Sequence, residues 1–137
     1  MNILIKPILT LTKLRSTICE ILIDDVFFCY GLEHEHCNLN KPIRSPHVQL
    51  PAPRDTYRVS ILENKFKHNS YAAFKTIAGN SFIRSGKTAN DLKSTCDILC
   101  GYIYNDGGLV VDTAYKDLCS RVQSAICDGQ IVKIHLM

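Results

Sequence analysis

The sequence predicts an α+β domain: a mainly antiparallel β-sheet or small barrel with one C-terminal helix followed by a closing strand. Three observations predict this class. Short segments with strand-like alternation fill most of the chain before residue 105, the stretch 112–127 alone has helical spacing, and 130–136 alternates again. The order differs from the regular strand–helix alternation of a parallel α/β fold. With 137 residues, the chain is expected to form a single domain, 1–137.

The N-terminal segment predicts three strands. Residues 2–14 alternate well enough for the first strand, and 17–24 form the second. The aromatic-rich run 26–33 follows directly after Asp24-Asp25, a pair suited to a tight turn. We therefore expect the second and third strands to form a hairpin.

The middle of the chain mixes loops and short strands. His, Asn, Pro and Arg dominate residues 34–55, which predicts a long loop of the kind that is usually functional or poorly ordered. The further strands are expected at 57–62, 71–77, 81–84 and 97–104, with a polar loop at 85–95.

The helix predicted at 112–127 has Ala114, Leu118 and Val122 along one apolar face. Asp112 or Thr113 is suited to the N-cap, and Gly129 is suited to end the helix in a left-handed conformation. The segment 130–136 then alternates cleanly and predicts the closing strand.

Composition excludes several classes of function. The net charge is only +3 and the basic residues are scattered, so no nucleic-acid partner is expected. The apolar start is too short for a signal peptide, and no stretch reaches the length of a membrane span. Seven cysteines, mostly inside apolar runs, indicate buried free thiols and a reducing compartment such as the cytoplasm.

The polar segment 83–101 is the first candidate site. Cys96 follows Lys93, Ser94 and Thr95, and a loop cysteine becomes a nucleophile when a base or a cation lowers its pKa. The alternative is that Cys96, like Cys100, is one more buried thiol.

A second candidate lies where the third strand meets the long loop. His34 and His36 would share one face of a strand, and Cys37 follows them. Imidazole and thiolate are zinc ligands, which makes this cluster a weak alternative metal site. The alternative is an ordinary solvated loop entrance, and we expect no metal or other cofactor.

Four segments resemble a known family. Residues 15–33, 51–59, 83–91 and 96–101 are similar to a domain-of-unknown-function family, number 5675, of short bacterial and phage proteins. The resemblance covers about residues 10–136, and most of it lies in the first segment, RSTICEILIDDVFFCYGLE. It implies that the chain is a divergent member of that family.

The motif layout of the family is similar to that of L,D-transpeptidase-like domains, in which a cysteine attacks a peptidoglycan stem peptide and a histidine is its base. The resemblance places Cys96 at the position of the nucleophile and Asp91 at that of the family aspartate. Arg84 stands at the histidine position. Because a guanidinium is always protonated, Arg84 cannot act as the base.

We therefore expect a non-catalytic binding or structural module on a degenerate peptidoglycan-enzyme-like fold, with Ser85, Lys87 and Glu33 as candidate binding residues. Its expected partner is a protein or an assembly, and packaging in a phage particle is the alternative to a cytoplasmic location. The alternative function is acyl transfer or hydrolysis on a cell-wall peptide by Cys96, with Arg84 and Asp91 polarising the site. A histidine beside Cys96 (His34, His36 or His47) would favour that enzyme.

Overall fold

The computed structural model describes residues 1–34, 53–64, 69–76, 79–92 and 97–137. The strands in these ranges are β1 (Asn2–Leu11), β2 (Ser16–Ile23), β3 (Val26–His34), β4 (Thr56–Asn64), β5 (Asn69–Thr76), β6 (Gly79–Ser85), β7 (Ile98–Gly101), β8 (Tyr104–Asn105), β9 (Gly108–Leu109) and β10 (Lys133–Leu136). The helix α1 spans Ala114–Cys127, and short 3-10 turns occupy Thr12–Leu14 and Ala89–Asp91.

Eight of the strands close into a barrel in the order β1-β10-β4-β5-β6-β7-β3-β2. Neighbouring strands run antiparallel except in two pairs, β1 with β10 and β6 with β7, which are parallel. The remaining strands, β8 and β9, form a separate two-stranded hairpin. The predicted fold class, a mainly antiparallel barrel with one helix and a closing strand, is therefore confirmed.

The hairpin of β2 and β3 turns at the predicted pair. Asp24 and Asp25 have φ angles of 49° and 67°, the left-handed conformation that a two-residue turn of this kind requires at both central positions. Aspartate tolerates that conformation better than most residues. Asp24 Oδ1 also accepts a hydrogen bond of 2.8 Å from the backbone N–H of Asn2, which ties the turn to β1.

The helix α1 covers one end of the barrel. Its buried residues are Ala114, Leu118, Val122 and Ala125, and they pack in one cluster with the side chains that point into the barrel, such as Ile21, Phe74 and Ile83. Gly129 follows with a φ of 81°, so the predicted helix stop is confirmed. No helix among the described residues combines the length and apolar character needed to cross a membrane.

A second, smaller cluster lies on the outer side of the barrel. It contains Ile18, Leu32, Leu92, Leu99 and Leu109. Since side chains alternate along a strand, Ile18 and Leu32 face away from the residues that fill the interior. Leu92 from the loop after β6 and Leu109 from the β8–β9 hairpin pack in one cluster with the strand residues Ile18, Leu32 and Leu99. This packing explains the burial of the three strand residues.

The structure differs from the sequence prediction at several element ends. The first strand stops at Leu11, where a 3-10 turn follows, and the closing strand begins at Lys133. The strand expected at 97–104 is divided, because the N–H of Tyr102 donates to Asp112 Oδ2 at 2.7 Å instead of continuing a ladder. The helix begins at Ala114, directly after Thr113, one of the two predicted N-cap residues. The other, Asp112, accepts the N–H of Ala114 through Oδ1 at 2.8 Å. The loop predicted at 85–95 contains a 3-10 turn. Most of the predicted loop 34–55 lies outside the described residues.

Candidate functional site

A buried ion pair lies at the barrel end opposite α1. Glu33 shares a strand face with Cys29, a residue of the inner cluster, and so it points into the barrel. Arg54 precedes β4 and reaches the carboxylate of Glu33 with both terminal nitrogens, at 3.1 and 3.2 Å from Oε1. The side chain of Glu33 is only 3% exposed and that of Arg54 is 27% exposed. A two-nitrogen contact of this kind fixes geometry as well as neutralising charge.

Two further side chains complete this inner polar cluster. The thiol of Cys19 donates to Glu33 Oε2 at 3.3 Å. Thr17, opposite Glu33 on β2, is fully buried, and its Oγ1 has no hydrogen-bond partner among the described residues. Burial, followed by the charge of Glu33, raises the pKa of Cys19 far above its ordinary value. Cys19 therefore stays a protonated thiol and is unsuited to nucleophilic attack.

The second ion pair joins Arg84 to Asp97. Arg84 Nε donates to Asp97 Oδ2 at 2.9 Å, and the aspartate side chain is completely buried. The backbone N–H of Phe82 donates to Asp97 Oδ1 at 3.0 Å. The guanidinium also lies over the ring of Phe82, 4.8 Å from its centroid. Arg84 is thus held both by a carboxylate and by an aromatic ring on the outer side of the barrel.

His34 lies close to the same aspartate. Burial lowers the pKa of His34, and the negative charge of Asp97 offsets part of that shift. At neutral pH the imidazole is therefore uncharged, the form that accepts a proton. Its buried Nε2 has no hydrogen-bond partner in the described part of the chain, and the same holds for the hydroxyl of Ser16, which faces His34 across β2 and β3.

The structure describes two of the three predicted catalytic residues. Arg84 is in the ion pair with Asp97. Asp91 is exposed, and its Oδ2 accepts the backbone N–H groups of Lys87 and Thr88 at 2.8 and 3.1 Å, so this carboxylate stabilises the 3-10 turn. Cys96, the predicted nucleophile, lies outside the described residues, and its role stays a prediction.

The predicted binding residues do not share one surface. Ser85 and Lys87 are exposed, whereas Glu33 is 2% exposed and faces the interior. Glu33 is engaged by Arg54, so it stabilises the barrel end. The backbone oxygen of Lys87 accepts the N–H of Leu109 at 2.7 Å, which fastens this loop to the β8–β9 hairpin and leaves the ammonium group at the surface.

Of the weak alternative metal site, the structure describes only His34, because His36 and Cys37 lie outside the described residues. Within the described ranges, no group of three or more His, Cys, Asp and Glu side chains is arranged to hold a metal ion. The zinc alternative therefore stays untested.

Five cysteines are described, and all are free thiols: Cys19, Cys29, Cys100, Cys119 and Cys127. Cys127 is exposed, whereas Cys19, Cys29 and Cys100 are buried. A hydrogen bond between the Cys100 thiol and Cys29, together with burial, raises the pKa of Cys100. Burial raises that of Cys119. Cys29 and Cys100 pack as small apolar residues in the inner cluster, in agreement with their position in apolar runs.

Sequence reasoning missed Arg54 and Asp97, the ion-pair partners of Glu33 and Arg84. Arg54 belongs to a Pro-rich loop, where nothing in the local pattern distinguishes it from a solvated arginine. Asp97 had a detectable signal. It stands directly before the apolar run 98–100, and a charged residue at the start of a buried strand requires a partner.

The described residues define an eight-stranded barrel with an ion pair at the end opposite α1 and a second ion pair on its outer side. The chain matches no protein-family model, no curated protein and no solved structure. The resemblance to family 5675 therefore stays a prediction from the sequence.

Proposed function

We propose that this protein is a non-catalytic binding or structural module on a degenerate peptidoglycan-enzyme-like scaffold. Its partner would be another protein or a larger assembly, with a phage particle as one such setting. The observation that carries the proposal is the ion pair of Arg84 with the buried Asp97.

The geometry of Arg84 supports a structural role for the residue at the family histidine position. Its Nε is 2.9 Å from Asp97 Oδ2, and its guanidinium lies over Phe82. A guanidinium with these two contacts neutralises a carboxylate that the fold has removed from water. Since it is also permanently protonated, it supplies no general base to a neighbouring thiol.

The geometry of Asp91 supports the same proposal. Both backbone N–H groups that its Oδ2 accepts belong to its own loop. Such hydrogen bonds stabilise a turn and are typical of aspartate in turns. Neither of the two described catalytic candidates is therefore free to act on a substrate in the way that a cysteine transpeptidase requires.

The test is the reactivity of Cys96 toward iodoacetamide near pH 7, followed by mass spectrometry of each cysteine-containing peptide. We expect Cys96 to react no faster than the exposed Cys127, which is the internal control. A thiol of ordinary pKa, about 8.5, is only a few per cent thiolate at neutral pH. Alkylation of Cys96 about tenfold or more faster than that of Cys127 would indicate an activated thiolate and would overturn the proposal.

One observation favours the alternative function, acyl transfer or hydrolysis on a cell-wall peptide by Cys96. His34 is uncharged at neutral pH and lies near Asp97, the residue that directly follows Cys96 in sequence. An uncharged histidine is the usual general base for a nucleophilic thiol.

The alternative function predicts that the protein turns over a peptidoglycan stem peptide. Chromatography of the products measures this turnover. In that case the variant His34→Gln would lose about 10²–10⁴ of the rate, whereas His135→Gln, a histidine hydrogen-bonded to Thr56 and Asn2, would keep it. Under the non-catalytic proposal, wild-type protein gives no turnover and the alkylation rate of Cys96 is the same in both variants.

A further inference from the structure

An exposed group of aromatic side chains lies on the outer side of β3. Phe27 and Tyr30 meet edge to face with ring centroids 5.1 Å apart, and Tyr30 meets Tyr104 of β8 in the same way at 4.8 Å. Phe27 is 49% exposed and Tyr104 is 39% exposed. We name these three residues the aromatic face. Large aromatic side chains left in water and packed on one another are typical of interaction surfaces.

Acidic residues border the aromatic face. Glu20 lies directly opposite Tyr30 in the β2–β3 ladder. Asp24 and Asp25 form the hairpin turn that immediately precedes the strand carrying Phe27. Lys6 stands opposite Glu20 on β1, so three carboxylates and one ammonium group flank the β3 part of the aromatic face. The chain as a whole carries a net charge of +3, which makes the local acidity a distinct feature.

We propose that the aromatic face binds an arginine-containing extended segment of a partner protein. This inference rests on the proposed function, because it supplies the docking surface that a non-catalytic module needs. Its occupant follows from charge complementarity: guanidinium groups stack on tyrosine and phenylalanine rings and are attracted by the carboxylates at their border. A lysine-rich segment has the same charge, but its ammonium group lacks the planar surface that stacks on a ring.

The arrangement also fits an extended rather than a helical segment. The three rings follow one another from Phe27 through Tyr30 along β3 to Tyr104 of the separate β8–β9 hairpin. Alternate side chains of an extended peptide point to the same side. A peptide that alternates arginine with a small residue would therefore bring successive guanidinium groups onto successive rings.

The test is isothermal titration of the full chain with a synthetic peptide of alternating arginine and serine. A peptide of alternating glutamate and serine is the matched control. The sequence contains no Trp and six Tyr, so tyrosine emission gives an independent signal when the probe carries no aromatic residue. We expect binding of the arginine peptide only, and weaker binding as salt is added.

Variants locate the binding surface. Phe27→Ser and Tyr104→Ser should each weaken binding about two- to fivefold, whereas Ile131→Ser, which removes an apolar side chain that is 55% exposed at another site, should leave it unchanged. Glu20→Gln and Asp25→Asn test the charge, with Glu63→Gln, an exposed acid on β4, as the control. Asparagine tolerates the positive φ of position 25, so this variant keeps the turn.

Three results would overturn the inference: no binding at millimolar peptide, equal binding of the glutamate peptide, or binding that none of the aromatic and acidic variants changes. Self-association of the chain that Phe27→Ser abolishes would also overturn it, because the occupant would then be a second copy. None of these results depends on Cys96. Failure of the non-catalytic proposal would appear instead as fast alkylation of that thiol.

Discussion

The guanidinium of Arg54 contacts the carboxylate of Glu33 at 3.1 Å, although Arg54 precedes β4 and Glu33 lies in β3 on another side of the barrel. The contact therefore joins β3 to the segment that precedes β4, at the end of the barrel opposite α1. Glu33 is removed from water almost completely, so its charge is stabilised by this partner. A buried charge that loses its counterion is one of the most destabilising changes a fold can suffer.

The first prediction concerns this pair. Arg54→Met should lower the free energy of unfolding by about 3 kcal/mol, near the lower end for a broken buried pair, because the Arg54 side chain is 27% exposed. Adding Glu33→Gln removes the uncompensated charge and should restore part of the loss. Urea unfolding at pH 7 measures the free energy of unfolding of Arg54→Met, of Glu33→Gln alone and of the double variant. If the double variant loses the sum of the two single losses, the two side chains are not coupled.

The second prediction concerns pH. Burial lowers the pKa of His34 below its ordinary value of 6.5, so the unfolded chain binds the proton more readily than the folded one. The free energy of unfolding should therefore be unaffected by His34 above about pH 7 and should fall as the pH drops below about 6.5.

His34→Gln should show a smaller loss of stability between about pH 7 and pH 5.5 than the wild type does. His135→Gln is the control on a different strand. NMR of its ring protons measures the titration of His34 directly. A midpoint at or above pH 6.5 would contradict the conclusion that burial lowers the pKa of His34.

The third prediction concerns the contact between the end of β7 and α1. The hydroxyl of Tyr102 donates to Asp117 Oδ2, and this hydrogen bond is the largest of the effects that raise the pKa of Tyr102 to about 12. In an ultraviolet titration of tyrosinate, one tyrosine should ionise near pH 12, and Tyr102→Phe should remove that step. Asp117→Asn should lower its midpoint toward the ordinary value of about 10, while an unchanged midpoint would exclude the carboxylate as the cause.

The fourth prediction concerns the helix that closes the barrel. Leu118 is fully buried among the side chains that point into the barrel. Leu118→Ala should lower the free energy of unfolding by about 2–5 kcal/mol, since it leaves a cavity beneath the helix. Ser120→Ala, an exposed position on the same helix, should change it by no more than about 0.5 kcal/mol. Chemical denaturation followed by circular dichroism compares the two variants.

Local patterns predicted the elements of this fold well. The β2–β3 hairpin, its Asp24-Asp25 turn and the apolar face of α1 each depend on neighbours within a few residues, and all are present in the structure. The sequence prediction did not distinguish an open sheet from a closed barrel. Closure depends on β1 pairing with β10 and on β6 pairing in parallel with β7, and no local pattern encodes such distant pairings.

The candidate site could be predicted only in part. Arg84 was recognised as a residue unable to accept a proton, which its chemistry alone dictates. Its partner Asp97 was not foreseen, because an ion pair between β6 and the start of β7 follows from the parallel register of these strands. The approach of His34 to Asp97 has a similar origin, since it follows from the pairing of β3 with β7, which are far apart in sequence.

The parallel pairing of residues 2–5 with residues 133–136 also bears on how the chain is made. A ribosome adds roughly 5–20 residues per second, so β1 emerges many seconds before the strand that seals its edge. Until then β1, with the exposed Ile8 and Leu9, presents an open edge to other nascent chains. Slow translation would prolong that interval. We expect chaperones that bind apolar segments of nascent chains to raise the yield of folded protein.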